Sequence, residues 1–277
     1  MNMEFRRKLP IPKEIKAMYP ISPEFERLRE QKDKEVKDIL SGQDDRLLLL
    51  VGPCSADNET AVLDYLTRLR KTADEVAERV LIVPRVYTSK PRTTGIGYKG
   101  MLHQPDPEGN EDMLKGIIAI RETYIRAMEE TGFFCADELL YPENYRYLSD
   151  LLLYVAIGAR SVENQGHRLT ASGLDVAVGM KNPTSGDFSV MMNSITAAQS
   201  SHMFIYRNWE VVSKGNPYAH AILRGYMNKK GQSTDCSFFI QNPLKIFAES
   251  DKINTSVWRI RVNPAESCLQ TGKQSVL

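Results

Sequence analysis

The chain is poor in several things, and each shortage removes a class of protein. Its four cysteines, Cys54, Cys135, Cys236 and Cys268, stand far apart with no C-x-x-C pair. That spacing excludes a disulfide framework and a zinc ribbon, and it fits reduced thiols. Apolar runs are short (LLLLV at 47–51), well below the length that crosses a bilayer. The opening MNMEFRRKLPIPKEIKAMYP is charged and broken by proline, with no apolar stretch of signal-peptide length. Net charge is almost absent, since 36 Lys and Arg face 35 Asp and Glu and leave +1. That balance argues against nucleic acid or an acidic membrane as the main partner, so any cationic site must be local. The expectation is a soluble, cytoplasmic protein.

What is present is a strand–helix rhythm. Residues 1–45 read as an N-terminal arm, broken by Pro10, Pro12, Pro20 and Pro23 before an amphipathic helix that Gly42 ends. Six short apolar runs follow, at roughly 46–53, 80–87, 133–138, 154–159, 176–181 and 220–224. Helix-like segments separate most of them, with Asn58 or Asp57 as one N-cap and Gly132 as one stop. HMFIYRNWEVVSKG, between the last two runs, reads as a hairpin excursion. Continuous apolar strands alternating with helices predict a parallel sheet covered on both faces, either a (β/α)8 barrel or an open doubly wound sheet.

Polar residues collect at one end of these strands. Cys54, Arg85, Glu138, Arg160, Lys181 and Arg224 sit at or just beyond a strand's C-terminal end. In a barrel those ends converge on the active-site face, and in an open sheet they line the crevice at the switch point. Four cations in one mouth suit a small polyanion, held bidentately by Arg and by the point charge of Lys. Cys54 has three readings on its own: nucleophile, metal ligand or inert core. His167, beside Arg168, is more simply a packing or hydrogen-bonding residue.

The segment KPRTTGIGYKG at 90–100 contains G-x-G-x-x-G at Gly95, Gly97 and Gly100. A dinucleotide fingerprint should follow a strand at once and open a helix. Here TSKPRTT intervenes after Tyr87, and Pro105 and Pro107 forbid a helix soon afterwards. The glycines therefore read as loop residues, and the chemistry falls to Lys90, Arg92 and Thr93, which can grip a phosphoryl group.

GPCS, RVYTSKPRTT, GYKG, HQPDP, ADEL, AIGARSVENQGHR, VGMKNPTSG and ILRG occur in this order. Together they closely resemble the class I 3-deoxy-D-arabino-heptulosonate 7-phosphate (DAHP) synthases, from about residue 5 to 234. The resemblance implies a (β/α)8 TIM barrel with an N-terminal extension and a transferase of the shikimate pathway. It implies condensation of phosphoenolpyruvate with erythrose 4-phosphate, with release of phosphate. Arg85, Arg160, Lys181 and Arg224 match the cations that bind phosphoenolpyruvate. Lys90, Pro91, Arg92 and Thr93 match the segment holding erythrose 4-phosphate. Lys90, Glu138, Arg160 and Lys181 are the expected catalytic group, with Glu138 near the attacking water. Cys54 matches a ligand of a divalent metal ion, with Mn, Fe, Co and Zn not distinguished. Ser172, in HRLTASGL, matches a stretch that helps form the inhibitor pocket for an aromatic amino acid. A homo-oligomer, dimer or tetramer, is expected in this family. A keto-deoxyoctulosonate phosphate synthase is a neighbouring reading that KPRTT and the arm disfavour.

The chain departs from this pattern at its end. Residues 235–277 contain no His and offer no counterpart to the family's later His, Glu and Asp metal ligands. The expected division is an arm at 1–45, six β/α units at 46–234 and an atypical tail at 235–277. Two strands of a barrel would then be missing, as in a truncated or frame-shifted chain. Bare parallel edges, weak metal binding and impaired activity are the expected consequences. A phosphate-ligand-binding or regulatory protein without catalysis is the alternative.

Overall fold

The computed structural model describes residues 1–53, 55–89 and 97–224, together with the backbone of four short strands between 226 and 262. Helices α1 (Pro12–Met18) and α2 (Pro23–Ser41) come first. Ser22 caps α2 by accepting the Phe25 N–H, and Gly42, at φ 77°, ends it in the left-handed conformation that glycine tolerates.

Strand and helix then alternate. The order is β1 (Leu47–Val51), α3 (Glu59–Glu75), β2 (Val80–Pro84), α4 (Met113–Thr131), β3 (Cys135–Glu138), α5 (Tyr145–Leu148), β4 (Leu152–Ile157), α6 (Gln165–Ser172), β5 (Ala177–Lys181) and α7 (Phe188–Gln199). Asn58 and Asp112 cap α3 and α4 through the Ala61 and Lys115 amides. The hairpin β6 (Met203–Tyr206) and β7 (Trp209–Val212) turns on Arg207 and Asn208, both at positive φ, as a tight two-residue turn requires. Strand β8 (Ala219–Ile222) returns the chain to the main sheet.

β1 pairs parallel with β2, and β3, β4, β5 and β8 pair parallel in that order. A single bridge, Arg85 to Ala136, joins β2 to β3. Every residue of β4, β5 and β8 is buried, which is why these strands are continuously apolar rather than alternating. This is the α/β architecture of the TIM-barrel class, and all six predicted strands lie within a few residues of their expected places.

The end of the chain differs from expectation. β9 (Tyr226–Met227) and β10 (Ser233–Thr234) form a small antiparallel pair. β11 (Leu244–Phe247) and β12 (Trp258–Val262) form another, and β12 pairs antiparallel with β1 at Leu48 and Ile260. The β1 edge is therefore covered, not bare. Its free N–H and C=O groups are a template for any strand, and WRIRV, with alternating apolar and basic residues, supplies one. The tail segment SVWRIRV contains β12.

One buried cation fixes the N-terminal helices to the barrel. Arg121 on α4 has no exposed side-chain surface, donates to the Tyr19 and Tyr147 carbonyls, and pairs with both oxygens of Asp150. Lys16 adds a second cation 3.2 Å from Asp150. Burial pushes the Asp150 carboxyl up, but Arg121 and Lys16 outweigh it and hold the group below the usual carboxylate range. Arg121→Ala leaves Asp150 and two carbonyls without their donor, so chemical denaturation should read a loss of about 3–5 kcal/mol. A loss under 1 kcal/mol would refute this anchoring role.

Candidate active site

Arg85 follows β2 directly and is 3% exposed. Its Nη2 donates to the Gly52 carbonyl at 2.8 Å, while its buried Nε has no hydrogen-bond partner among the described residues. The backbone of Gly52 passes so close that a Cβ there would lie 2.1 Å from the Arg85 carbonyl oxygen. Glycine is required, and it lets the end of β1 lie against the end of β2.

Lys181 and Glu138 end β5 and β3, and Nζ stands 3.5 Å from Oε1. Both side chains are 11% exposed. Tyr87, 2% exposed, lies between the cations: Lys181 Nζ is 4.9 Å and Arg85 Cζ 5.1 Å from its ring centroid. Aromatic faces attract cations, so the ring offsets part of the cost of holding two positive charges out of water. Gly158, just past β4, makes room for Glu138, because a Cβ there would meet Oε1 at 2.0 Å. Beneath these groups Tyr154 contacts His220 Nε2 at 2.7 Å, and His220 Nδ1 meets the Tyr218 carbonyl at 2.8 Å. Burial pushes His220 down to about 4, so the ring is neutral at pH 7 and the tyrosine is the donor.

Arg224 lies two residues past β8, and its backbone is clipped to the end of β5. Its N–H donates to Asn182 Oδ1 at 2.7 Å, and Asn182 Nδ2 donates to its carbonyl at 3.1 Å. Arg160 follows β4 and is exposed. Glu138 and Lys181 are thus paired directly, Arg85 joins them through the Tyr87 ring, and Arg224 is tied by Asn182 beside Lys181. Cys54 and Lys90, Pro91, Arg92 and Thr93 lie outside the described residues. Among the described residues, no three His, Cys, Asp or Glu side chains form a group fit to hold a metal ion.

Three supporting residues escaped the sequence reading. Tyr87 stands two positions after Arg85, the spacing that puts both on one side of an extended chain. Asn182 follows Lys181, and Asp137 precedes Glu138; nothing in the local pattern marks either one. Asp137 is buried, accepts from the Thr88 N–H and hydroxyl at 3.1 and 2.7 Å, and accepts from the Glu138 N–H at 2.7 Å.

Ser172, expected at an inhibitor pocket, is 1% exposed, with its hydroxyl directed to the Leu169 carbonyl and Ser213 Oγ, each at 2.7 Å. Ser213, not Ser172, appears among the lining residues of the adjacent cavity of about 480 Å³, with Phe204, Tyr206, Tyr145, Arg29 and Asp33. His167 bonds to Asn164 and the Leu140 carbonyl, a structural role.

Parallel strands that deliver cations and a carboxylate to one face are the arrangement of a TIM-barrel active site. Comparison with known proteins narrows that class. Residues 19–239 match the model of the DAHP synthetase I family, and the chain belongs to that family. The Tyr-sensitive phospho-2-dehydro-3-deoxyheptonate aldolase of Escherichia coli is 38% identical over 219 residues, covering 77% of this chain and 61% of the relative. The Trp-sensitive enzyme of the same organism is 36% identical, covering 77% and 62%. A solved phospho-2-dehydro-3-deoxyheptonate aldolase from Francisella tularensis superposes with a TM-score of 0.75 at 32% identity, covering 83% of this chain and 70% of that one. The chain thus spans about three fifths of the length of the two Escherichia coli relatives.

Two outcomes follow from this geometry. Gly158→Ala drives a methyl into Glu138 and should disrupt the Glu138–Lys181 pair with little loss of fold; unchanged ligand binding by the variant would count against the arrangement. Asp137 titrates late, because burial pushes its carboxyl up to about 6 despite the hydrogen bonds from Thr88 and the Glu138 amide. Its stabilising contribution is present below about pH 4 and is lost as pH rises through about 6. Asp137→Asn should therefore be the more stable protein at pH 7, by roughly 2–3 kcal/mol, with the gap closing toward pH 4. Parallel melting curves at the two pH values would reveal the opposite trend if the burial account is wrong.

Proposed function

We propose that this chain is a DAHP synthase that condenses phosphoenolpyruvate with erythrose 4-phosphate. The observation that carries the proposal is the buried set of Arg85, Lys181 and Glu138 around Tyr87 at the strand ends. Phosphoenolpyruvate brings a phosphate and a carboxylate, which need more than one cation at fixed separation. Arg85, with its Nε still open, and Lys181 take those groups, with Arg160 and Arg224 completing the shell. Lys90, Pro91, Arg92 and Thr93 hold the sugar phosphate.

In the reaction C3 of phosphoenolpyruvate attacks the aldehyde carbon, and the aldehyde oxygen takes a proton to become a hydroxyl. Water adds to C2 and gives one proton to Glu138, which replaces the proton taken up at the aldehyde oxygen. The C2–O bond to phosphorus then breaks as C2=O forms, and the remaining hydroxyl proton leaves with the inorganic phosphate. Lys181, 3.5 Å from Glu138, stabilises the charge on the departing group. A divalent ion with Cys54 as one ligand belongs to the proposal, and such an ion polarises a carbonyl oxygen when bound.

The 480 Å³ cavity is the proposed regulatory site for an aromatic amino acid, and the curated relatives are named as Tyr- and Trp-sensitive. Its chemistry suits a zwitterion. Arg29 Nε and Asp33 Oδ1 are buried atoms with no hydrogen-bond partner among the described residues, and both residues line the cavity. A carboxylate and an ammonium would meet them, with the aromatic ring against Phe204 and Tyr206. The exposed apolar residues of the β6–β7 hairpin, Ile205 and Trp209 among them, suit the homo-oligomer expected of the family.

A second reading, binding without condensation, draws on β12. An antiparallel strand presents its N-terminal end at the mouth, where a parallel neighbour would present its C-terminal end. One assay separates the two: phosphate release from both substrates with a divalent ion present. Synthase activity requires release that depends on both substrates and falls by about 100-fold or more in Lys181→Met. Saturable phosphoenolpyruvate binding without release would favour the second reading. Phe204→Ala should abolish inhibition by an aromatic amino acid and spare the uninhibited rate; retained inhibition would remove the cavity from the proposal.

A further inference from the structure

We propose that Asp137 is a positioning residue: with Thr88 it forms a buried clamp that keeps Arg85 in register with the Glu138–Lys181 pair. The seam between β2 and β3 crosses the site, with Arg85 on one side and Glu138 on the other. It is the weakest join in the parallel sheet. β1 and β2 share five registered residue pairs and β4 and β5 four, but β2 and β3 meet only through the Arg85–Ala136 bridge. The Val86 N–H, donating to the Ala136 carbonyl at 2.9 Å, is part of that bridge.

Asp137 extends this seam with side-chain bonds. It accepts two from Thr88 and one from the backbone of Glu138, so one carboxylate links the exit of β2 to the end of β3. Thr88 is 1% exposed and is also fixed from behind, because its carbonyl accepts the Met101 N–H at 2.9 Å. Tyr124 on α4 closes the far side, donating to the Val86 carbonyl at 2.6 Å. Cys135 shares the strand, and burial outweighs the hydrogen bonds and raises the Asp137 carboxyl. A buried carboxylate is a costly join. What it supplies, and an apolar contact does not, is direction: three acceptor bonds of fixed geometry at the position before Glu138.

The proposal rests on the reading that Arg85, Glu138 and Lys181 hold phosphoenolpyruvate, so its test has one readout with ligand and one without. Asp137→Ala, Asp137→Asn and Thr88→Val are made in the full chain. Hydrogen exchange is followed at Thr88, Glu138 and β4–β5, and phosphoenolpyruvate affinity is measured by calorimetry. Asp137→Ala should speed exchange at Thr88 and Glu138 and weaken phosphoenolpyruvate binding, each by about tenfold or more, while β4–β5 stay protected. Asn keeps an acceptor oxygen and should return both readouts to within about threefold of the parent, with Thr88→Val between. A folded Ala variant that binds like the parent overturns the clamp. If the Ala variant loses protection in β4–β5, Thr88→Val decides, and parental affinity there overturns it equally. Failure of the parent itself to bind, with the exchange pattern intact, refutes the functional reading and the positioning role that depends on it.

Discussion

Two cations held out of water beside one another set the terms for everything around them. Arg85 and Lys181 are almost fully buried at the ends of strands in two sheets that the Arg85–Ala136 bridge joins. Like charges in such a place are unfavourable unless the surroundings compensate. Here the Gly52 carbonyl takes one Arg85 nitrogen, Glu138 neutralises Lys181, and the face of Tyr87 serves both. The compensation is incomplete by design of the geometry, since Arg85 Nε still points to no protein acceptor among the described residues. In the function we propose, a doubly anionic ligand completes it.

The fold supplies this arrangement through close backbone approach. Gly52 and Gly158 remove side chains where Arg85 and Glu138 must pass. Asn182 ties the chain after β8 to the chain after β5, while Asp137 and Thr88 tie the exit of β2 to β3. Farther out, Arg121 secures the N-terminal segment through Tyr19, Tyr147 and Asp150. Each of these joins uses directional polar bonds, and each spans elements far apart in sequence.

That separation explains what the sequence could reveal. Strands such as LLLLV and VLIVP announce themselves as continuous apolar runs, and the cations at their ends follow from the register of the motif. Asn58, Gly42 and Gly132 mark helix ends by local chemistry, and each does so in the structure. Tyr87, Asn182 and Asp137 carry no such mark, because their roles depend on partners 30 to 50 residues away or on ring placement. Ser172 stood out only by resemblance to a stretch of related chains, and its hydroxyl is directed to Ser213, a residue that the hairpin brings near. The pairing of β12 with β1 was hidden for a different reason: an edge strand accepts many partners, and its choice is not encoded in one short segment.

The central claim is that the buried cations are a seat for phosphoenolpyruvate, and a crystal structure of the full chain with that ligand tests it most directly. The account predicts phosphate and carboxylate oxygens within about 3.2 Å of Arg85 and Lys181, with Arg85 Nε newly bonded. Ligand density elsewhere, or an ordered mouth that stays free of it at saturating concentration, would contradict the account.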